Sequence, residues 1–286
     1  MCFMSNVSVF CFLASYVVAF ALELTRLLRR SSIRWYAIVA VSLAGFIAHT
    51  VYLFVQSGQK ELPPLLSSMQ DWVLVLAWIA ILFYLFASLI DREFALGVFL
   101  LPLVLLLIVS AYFVSADTNF LVSTDNPEQA ALKRLAITHA GLLVFGIAGV
   151  LVGFAMSLMY LYQHRRLKHK QSLREGFSLP SLARLAKWNW WAVMVSVFLL
   201  TLGMASGIGL GFQSSGSPSP VTWTDPVVLA SGLTWVAMIV FVVWLVKSRH
   251  PAGRKVAMLT IWAFGFLLVT LVGTLMFAER IGAGHV

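Results

Sequence analysis

Residues 135–170 read LAITHAGLLVFGIAGVLVGFAMSLMYLYQHRRLKHK. From Leu135 to Tyr162 there is no Asp, Glu, Lys or Arg, and immediately afterwards the text turns basic. A helix rises ~1.5 Å per residue, so this run exceeds the ~20 apolar residues that cross a ~30 Å hydrocarbon core. Lipid offers no hydrogen bonds to a backbone, and a helix satisfies its own. The stretch therefore reads as a membrane-spanning helix with a charged stop at one end.

Working outward, the same pattern recurs. The chain has 286 residues, of which 60% are hydrophobic and 11% charged, whereas soluble domains are about a quarter charged. So much apolar surface needs lipid as its solvent. Eight apolar runs are visible: residues 6–24, 35–55, 72–90, 94–114, 135–162, 190–212, 226–246 and 256–278. The expected fold is all-α, a single polytopic membrane domain over 1–286 with eight transmembrane helices. The first run lacks a basic leader and is followed by a basic stretch, so it reads as a retained helix rather than a cleaved signal peptide.

The loops orient the bundle. Arg26, Arg29, Arg30 and Arg34 lie between runs 1 and 2, and Arg92 between 3 and 4. Seven bases from Arg165 to Lys187 lie between 5 and 6, and Lys247, Arg249, Arg254 and Lys255 between 7 and 8. Lys60, Lys133, Arg134 and Arg280 fall on the other side. The positive-inside rule makes the crowded side cytoplasmic and puts both termini on the outer, extracytoplasmic side of an inner or plasma membrane. The net charge of +9 then needs no nucleic acid; the basic 5–6 loop also suits anionic lipid headgroups. Trp188, Trp190 and Trp191 fit an interfacial belt. Gly203, Gly207 and Gly211, at steps of four, offer a close-packing stripe. Pro102 inside the fourth run predicts a kink. Cys2 and Cys11 form no CxxC or metal-ligand spacing and read as small apolar fillers.

No Ser/His/Asp arrangement, phosphate-binding glycine loop or intramembrane carboxylate pair stands out. Glu23, three residues before Arg26, reads as an edge ion pair. His164, His169 and His250 belong to the basic loops. His139 opens the fifth run on the outer side, His285 follows the eighth, also outside, and His49 lies inside the second. His49 has two readings: interhelical hydrogen-bonding glue or a ligand. His139 taken alone also reads as an ordinary helix-end histidine at the interface, but His139 and His285 fall at one membrane level, where two neutral imidazoles could coordinate haem iron from opposite faces. No CxxCH is present for covalent attachment.

The loop 213–226 lies at the same level and ends in Trp223-Thr224-Asp225-Pro226. Asp225 is a good N-cap, Pro226 a good first helical residue and Trp223 an interface anchor, which explains the trio as a helix start. The alternative is a ligand-covering loop.

Several stretches, in order, resemble the cytochrome c assembly family of CcsA, CcmC and HemX type: GFIAHTVYLFVQSGQKELP, DWVLVLAWIAILFYL, FALGVFLLPLVLLL, the run after His139, LPSLARLAKWNWWAVMVSVFLLTLGMASG, WTDP and SRHPAGRKVA. Asp71 stands where the family usually shows Glu. The family's fuller motif carries several tryptophans and continues Lys-Glu; here one tryptophan stands and Val-Val follows, as in short, divergent HemX-like members. A histidine often found near the inner end of helix 7 is absent from VVWLVKSR.

The resemblance implies that an outer loop with a W-x-D-P core presents haem b, bound non-covalently, between flanking histidines. By position, His139 and His285 would be the outer axial ligands, His49 a transmembrane ligand, and Trp223, Asp225 and Pro226 the core of the loop. It implies a haem-handling role in cytochrome c maturation, not catalysis by the chain itself, within a haem lyase or synthetase system. Apocytochrome c and a thioredoxin-like membrane protein would be the partners. Two other classes stay open: a membrane scaffold or assembly factor that has lost haem ligation, and a small-molecule transporter.

Overall fold

The computed structural model describes residues 8–28, 32–60, 63, 68–92, 96–114, 127–169, 180–213, 226–248 and 253–282. Among them are eight α-helices and no strand: α1 (Val9–Leu28), α2 (Ser32–Lys60), α3 (Met69–Ile90), α4 (Gly97–Ser110), α5 (Pro127–Lys168), α6 (Leu182–Gln213), α7 (Pro226–Lys247) and α8 (Gly253–Gly282). Parts of α2, α3, α5, α6 and α8 are long and apolar enough to cross a membrane, and α1, α4 and α7 hold shorter apolar stretches.

Local chemistry sets several ends. Ser68 caps α3 from extended backbone: its hydroxyl accepts from the Asp71 N–H and donates to Asp71 Oδ2 at 2.8 Å, so a side-chain oxygen satisfies one free N–H of the first turn. Pro127 begins α5, where its missing N–H costs nothing. The 14-residue α4 tightens into a 3-10 turn at Ala111–Phe113, so the regular helix is shorter than the apolar run 94–114 suggests. Pro102 lies inside it.

α5 is the axis of the bundle. It packs most extensively on α6, then on α8, and also touches α3 and α4. The helices α1–α4 form one group, with α1 on α2 and α4, and α3 on α2 and α4. The helices α6–α8 close around the other side of α5. Small residues bring α5 near its neighbours: a Cβ added at Gly146 would lie 2.8 Å from Leu200, and one at Gly153 would lie 2.6 Å from Phe264. Tyr16, Tyr84, Phe12 and Phe264 are the largest fully buried side chains. Outward faces are apolar too, with Phe54 and Trp262 each 74% exposed, a surface that suits lipid and not water.

Contacts identify two ends. At one, Arg34 donates to the Thr25 carbonyl, the Arg92 guanidinium sits 4.5 Å over the Trp35 ring, and Arg184 pairs with Asp91 at 3.0 Å. Trp190 and Trp191, edge to face at 5.1 Å, follow Arg184 on α6. At the opposite end Lys60 pairs with Asp71 at 2.7 Å. The first is the end to which the sequence assigns its basic loops.

Two positions differ from the sequence reading. His139 does not open its helix: α5 starts at Pro127, because EQAALKR consists of good helix formers that an apolar count ignores. Glu23 is not at an edge: it is 1% exposed, and the Tyr84 hydroxyl donates to its Oε1 at 2.8 Å.

Candidate functional site

His139 lies where α5 crosses the glycine stripe of α6. Its Nδ1 is 2.8 Å from the Gly203 carbonyl oxygen and 3.3 Å from the Ser206 hydroxyl. A carbonyl oxygen only accepts, so Nδ1 carries the proton. In the neutral ring Nε2 is then a bare lone pair. Metal-ligating histidines are commonly held this way, with the second ring nitrogen donating to a backbone carbonyl. Gly207 makes room for the ring: a Cβ there would lie 2.7 Å from His139 Cε1. The stripe read from the sequence as a packing surface therefore holds this imidazole at Gly207, and Leu143 of α5 at Gly203.

His49 sits between α1 and α2 and is fully buried. Phe12 stacks on its ring with centroids 4.0 Å apart, and the Tyr16 hydroxyl approaches Nδ1 at 3.4 Å. Tyr52 meets Phe12 edge to face at 5.6 Å. His49 Nε2 is buried with no hydrogen-bond partner. An orphaned nitrogen in apolar surroundings is costly and asks for an explanation.

Toward the end away from the basic loops, the neighbouring helices carry further polar links. The Trp78 indole donates to Thr50 Oγ1 at 2.8 Å, and Trp235 to Thr201 Oγ1 at 3.1 Å. Asp71, fully buried, binds Lys60 Nζ and Ser68. Sequence reasoning singled out Asp71 but not Lys60 as its partner. It also missed the Glu23–Tyr84 pair, on which α4 closes: a Cβ at Gly97 would lie 2.8 Å from both Glu23 Oε1 and the Tyr84 ring. A carboxylate inside an apolar run is itself the signal for such a site.

Of the other proposed site residues, Pro226 is the first residue of α7, as the sequence predicts. Trp223, Asp225 and His285 lie outside the described residues, as does His250. The structure thus holds His49 and His139 in different helix groups, each at a helix–helix contact. Among the described residues no three His, Cys, Asp or Glu side chains converge on one point. A multidentate metal cage is not formed there. One imidazole with its tautomer fixed and another with an orphaned nitrogen match the donor chemistry of single axial ligands to haem iron.

No curated protein and no solved structure matches the chain. A family model, described as cytochrome C assembly protein, matches residues 64–280. The match starts after α2 and ends at residue 280, and so includes His139, Trp223, Asp225 and Pro226 but neither His49 nor His285. A match over most of the length, on a bundle of apolar membrane-crossing helices, means that this multi-pass membrane protein belongs to the cytochrome c assembly protein family.

Proposed function

We propose that the chain binds and presents haem b at the outer face of the membrane for cytochrome c maturation. The observation that carries the proposal is the hydrogen bond from His139 Nδ1 to the Gly203 carbonyl. It leaves Nε2 as the coordinating atom and fixes the plane of the ring. His285 would supply the second axial imidazole, and the Trp223–Pro226 loop an aromatic cover. His49 would hold haem within the membrane; its orphaned Nε2 supports this reading. Because that nitrogen is sealed by packing, access to it requires the helices around Phe12 to part. The basic loops, by the positive-inside rule, face the cytoplasm, so both termini and the His139 region lie outside.

Bound haem would supply an iron with two axial positions and a vinyl-bearing ring. The protein's part is to hold and shield it. The thiols to be joined would come from apocytochrome c, kept reduced by a thioredoxin-like membrane partner. Membership of the family supports the haem-handling role.

The test is the absorption spectrum of purified protein, oxidised and reduced. A Soret band is expected as isolated or after adding haem. His139→Ala should turn a low-spin spectrum high-spin or lose haem, while His164→Ala should change nothing. Equal spectra for both variants, or no band at well above micromolar protein, would defeat the proposal in favour of a scaffold without haem.

A further inference from the structure

The end of the bundle that carries the basic loops has a cleft of ≈ 200 Å³ between the last turns of α5 and the first turns of α8. His164, Arg165, Lys168 and His169 enter it from α5, and Arg254 enters from α8. Leu161 and Met258 give it an apolar wall. Among the described residues no carboxylate lines it. Among the described acids at this end of the bundle, Asp91 pairs with Arg184 and Glu23 receives Tyr84. Three permanent cations facing one small space repel one another.

Arg165 and Lys168 have an ordinary explanation, since the last turn of α5 carries the negative end of its helix dipole. Arg254 has none. It is the second residue of α8, at the positive end, where the dipole disfavours a cation and favours an anion. Packing holds it there: Gly253 lies against the Tyr160 hydroxyl so closely that a Cβ would clash. An anion in the cleft would reconcile both helix ends with the cations between them.

We propose that this cleft binds the phosphate of an anionic phospholipid headgroup. Three observations favour a lipid over a soluble anion. The cleft lies at the end of the bundle where Trp190 and Trp191 stand exposed, the level of headgroups. Leu161 and Met258 provide apolar surface beside the charges, as an acyl-glycerol would need. The volume suits a phosphate ester and falls short of the about 300–1,000 Å³ typical of larger organic ligands. Basic pockets between transmembrane helices are a known mode of headgroup recognition.

The experiment uses the full chain, purified in mild detergent and titrated with phosphatidylglycerol or phosphatidylcholine, with retained lipid counted by native mass spectrometry. The wild type should retain one phosphatidylglycerol in preference to phosphatidylcholine. The double variant Arg165→Gln/Arg254→Gln should weaken that retention roughly thirtyfold, whereas Arg254→Lys, which preserves the charge, should keep most of it. Lys133→Gln, outside the cleft, should leave it unchanged. Each variant's elution as one sharp species on size exclusion shows that the fold persists. Equal retention of the two lipids, or undiminished retention in the double variant, would overturn the proposal. Displacement by millimolar inorganic phosphate would overturn the lipid assignment and identify a soluble-phosphate site.

Discussion

Phe12 and His49 lie ring on ring, with planes 3° apart and centroids separated by 4.0 Å. Both are fully buried, on α1 and α2 respectively. The phenyl ring is the cover over this imidazole. Phe12→Ala should destabilise the protein by about 3 kcal/mol, as large-to-small core changes do. It should also make His49 reactive toward diethyl pyrocarbonate, detected by peptide mass spectrometry. Exposed His169 should react in both proteins. Equal protection of His49 in the variant would mean that other side chains seal it.

A methyl group at residue 207 should act as a local wedge. The added carbon would lie 2.7 Å from His139 Cε1, so the ring must turn and lose its bond to Gly203. Gly207→Ala should cost about 1–3 kcal/mol by overpacking and shift the haem spectrum in the direction of His139→Ala. The control is Gly58→Ala, where nothing lies within 4 Å of the new carbon; it should stabilise by about 0.5–1 kcal/mol. Thermal unfolding in detergent and optical spectra read both.

Asp71 and Lys60 form a pair that is costly to break from one side. Asp71 is buried and Lys60 mostly so, 2.7 Å apart. Asp71→Asn leaves a nearly buried ammonium without its charge partner and should lower stability by about 3 kcal/mol. The double variant Asp71→Asn/Lys60→Met should recover much of that loss, measured by urea or thermal unfolding. A double variant as unstable as the single would show that Asp71 serves chiefly as part of the α3 cap.

Asn189 ties three helices together. Its carbonyl oxygen accepts from Ser157 at 3.1 Å and its amide donates to Thr260 at 3.3 Å, both out of solvent. Interhelical hydrogen bonds in membranes average about 0.6 kcal/mol each. Asn189→Leu should therefore cost only about 1 kcal/mol, while Asn189→Asp should cost more by burying a charge.

The eight helices were legible because lipid demands apolar length, and length survives in the sequence. What each helix faces was not legible, since core and lipid are equally apolar. Val144 is fully buried while its neighbour Phe145 is 55% exposed, and nothing in their chemistry separates them. The polar start of α5 was missed for the converse reason: residues 127–134 are helical by propensity but not apolar. His139 was recognisable as a candidate, yet its partner Gly203 was only a spacing motif until the two helices were in contact. Glu23 was read as an edge residue because it stands near a helix end, whereas Tyr84, which buries it, lies far away in the chain.

The close fit of α5 on α6 is toothed along its length: Gly146 receives Leu200, Gly149 receives Ser196, Gly203 receives Leu143 and Gly207 receives His139. A rod engaged at four notches cannot slide by a fraction of a turn without collision at all of them. The height of the imidazole in the bilayer is therefore set mechanically by shape, before any hydrogen bond forms. Membranes of different thickness would tilt the pair as a unit and leave the registration of the ring untouched.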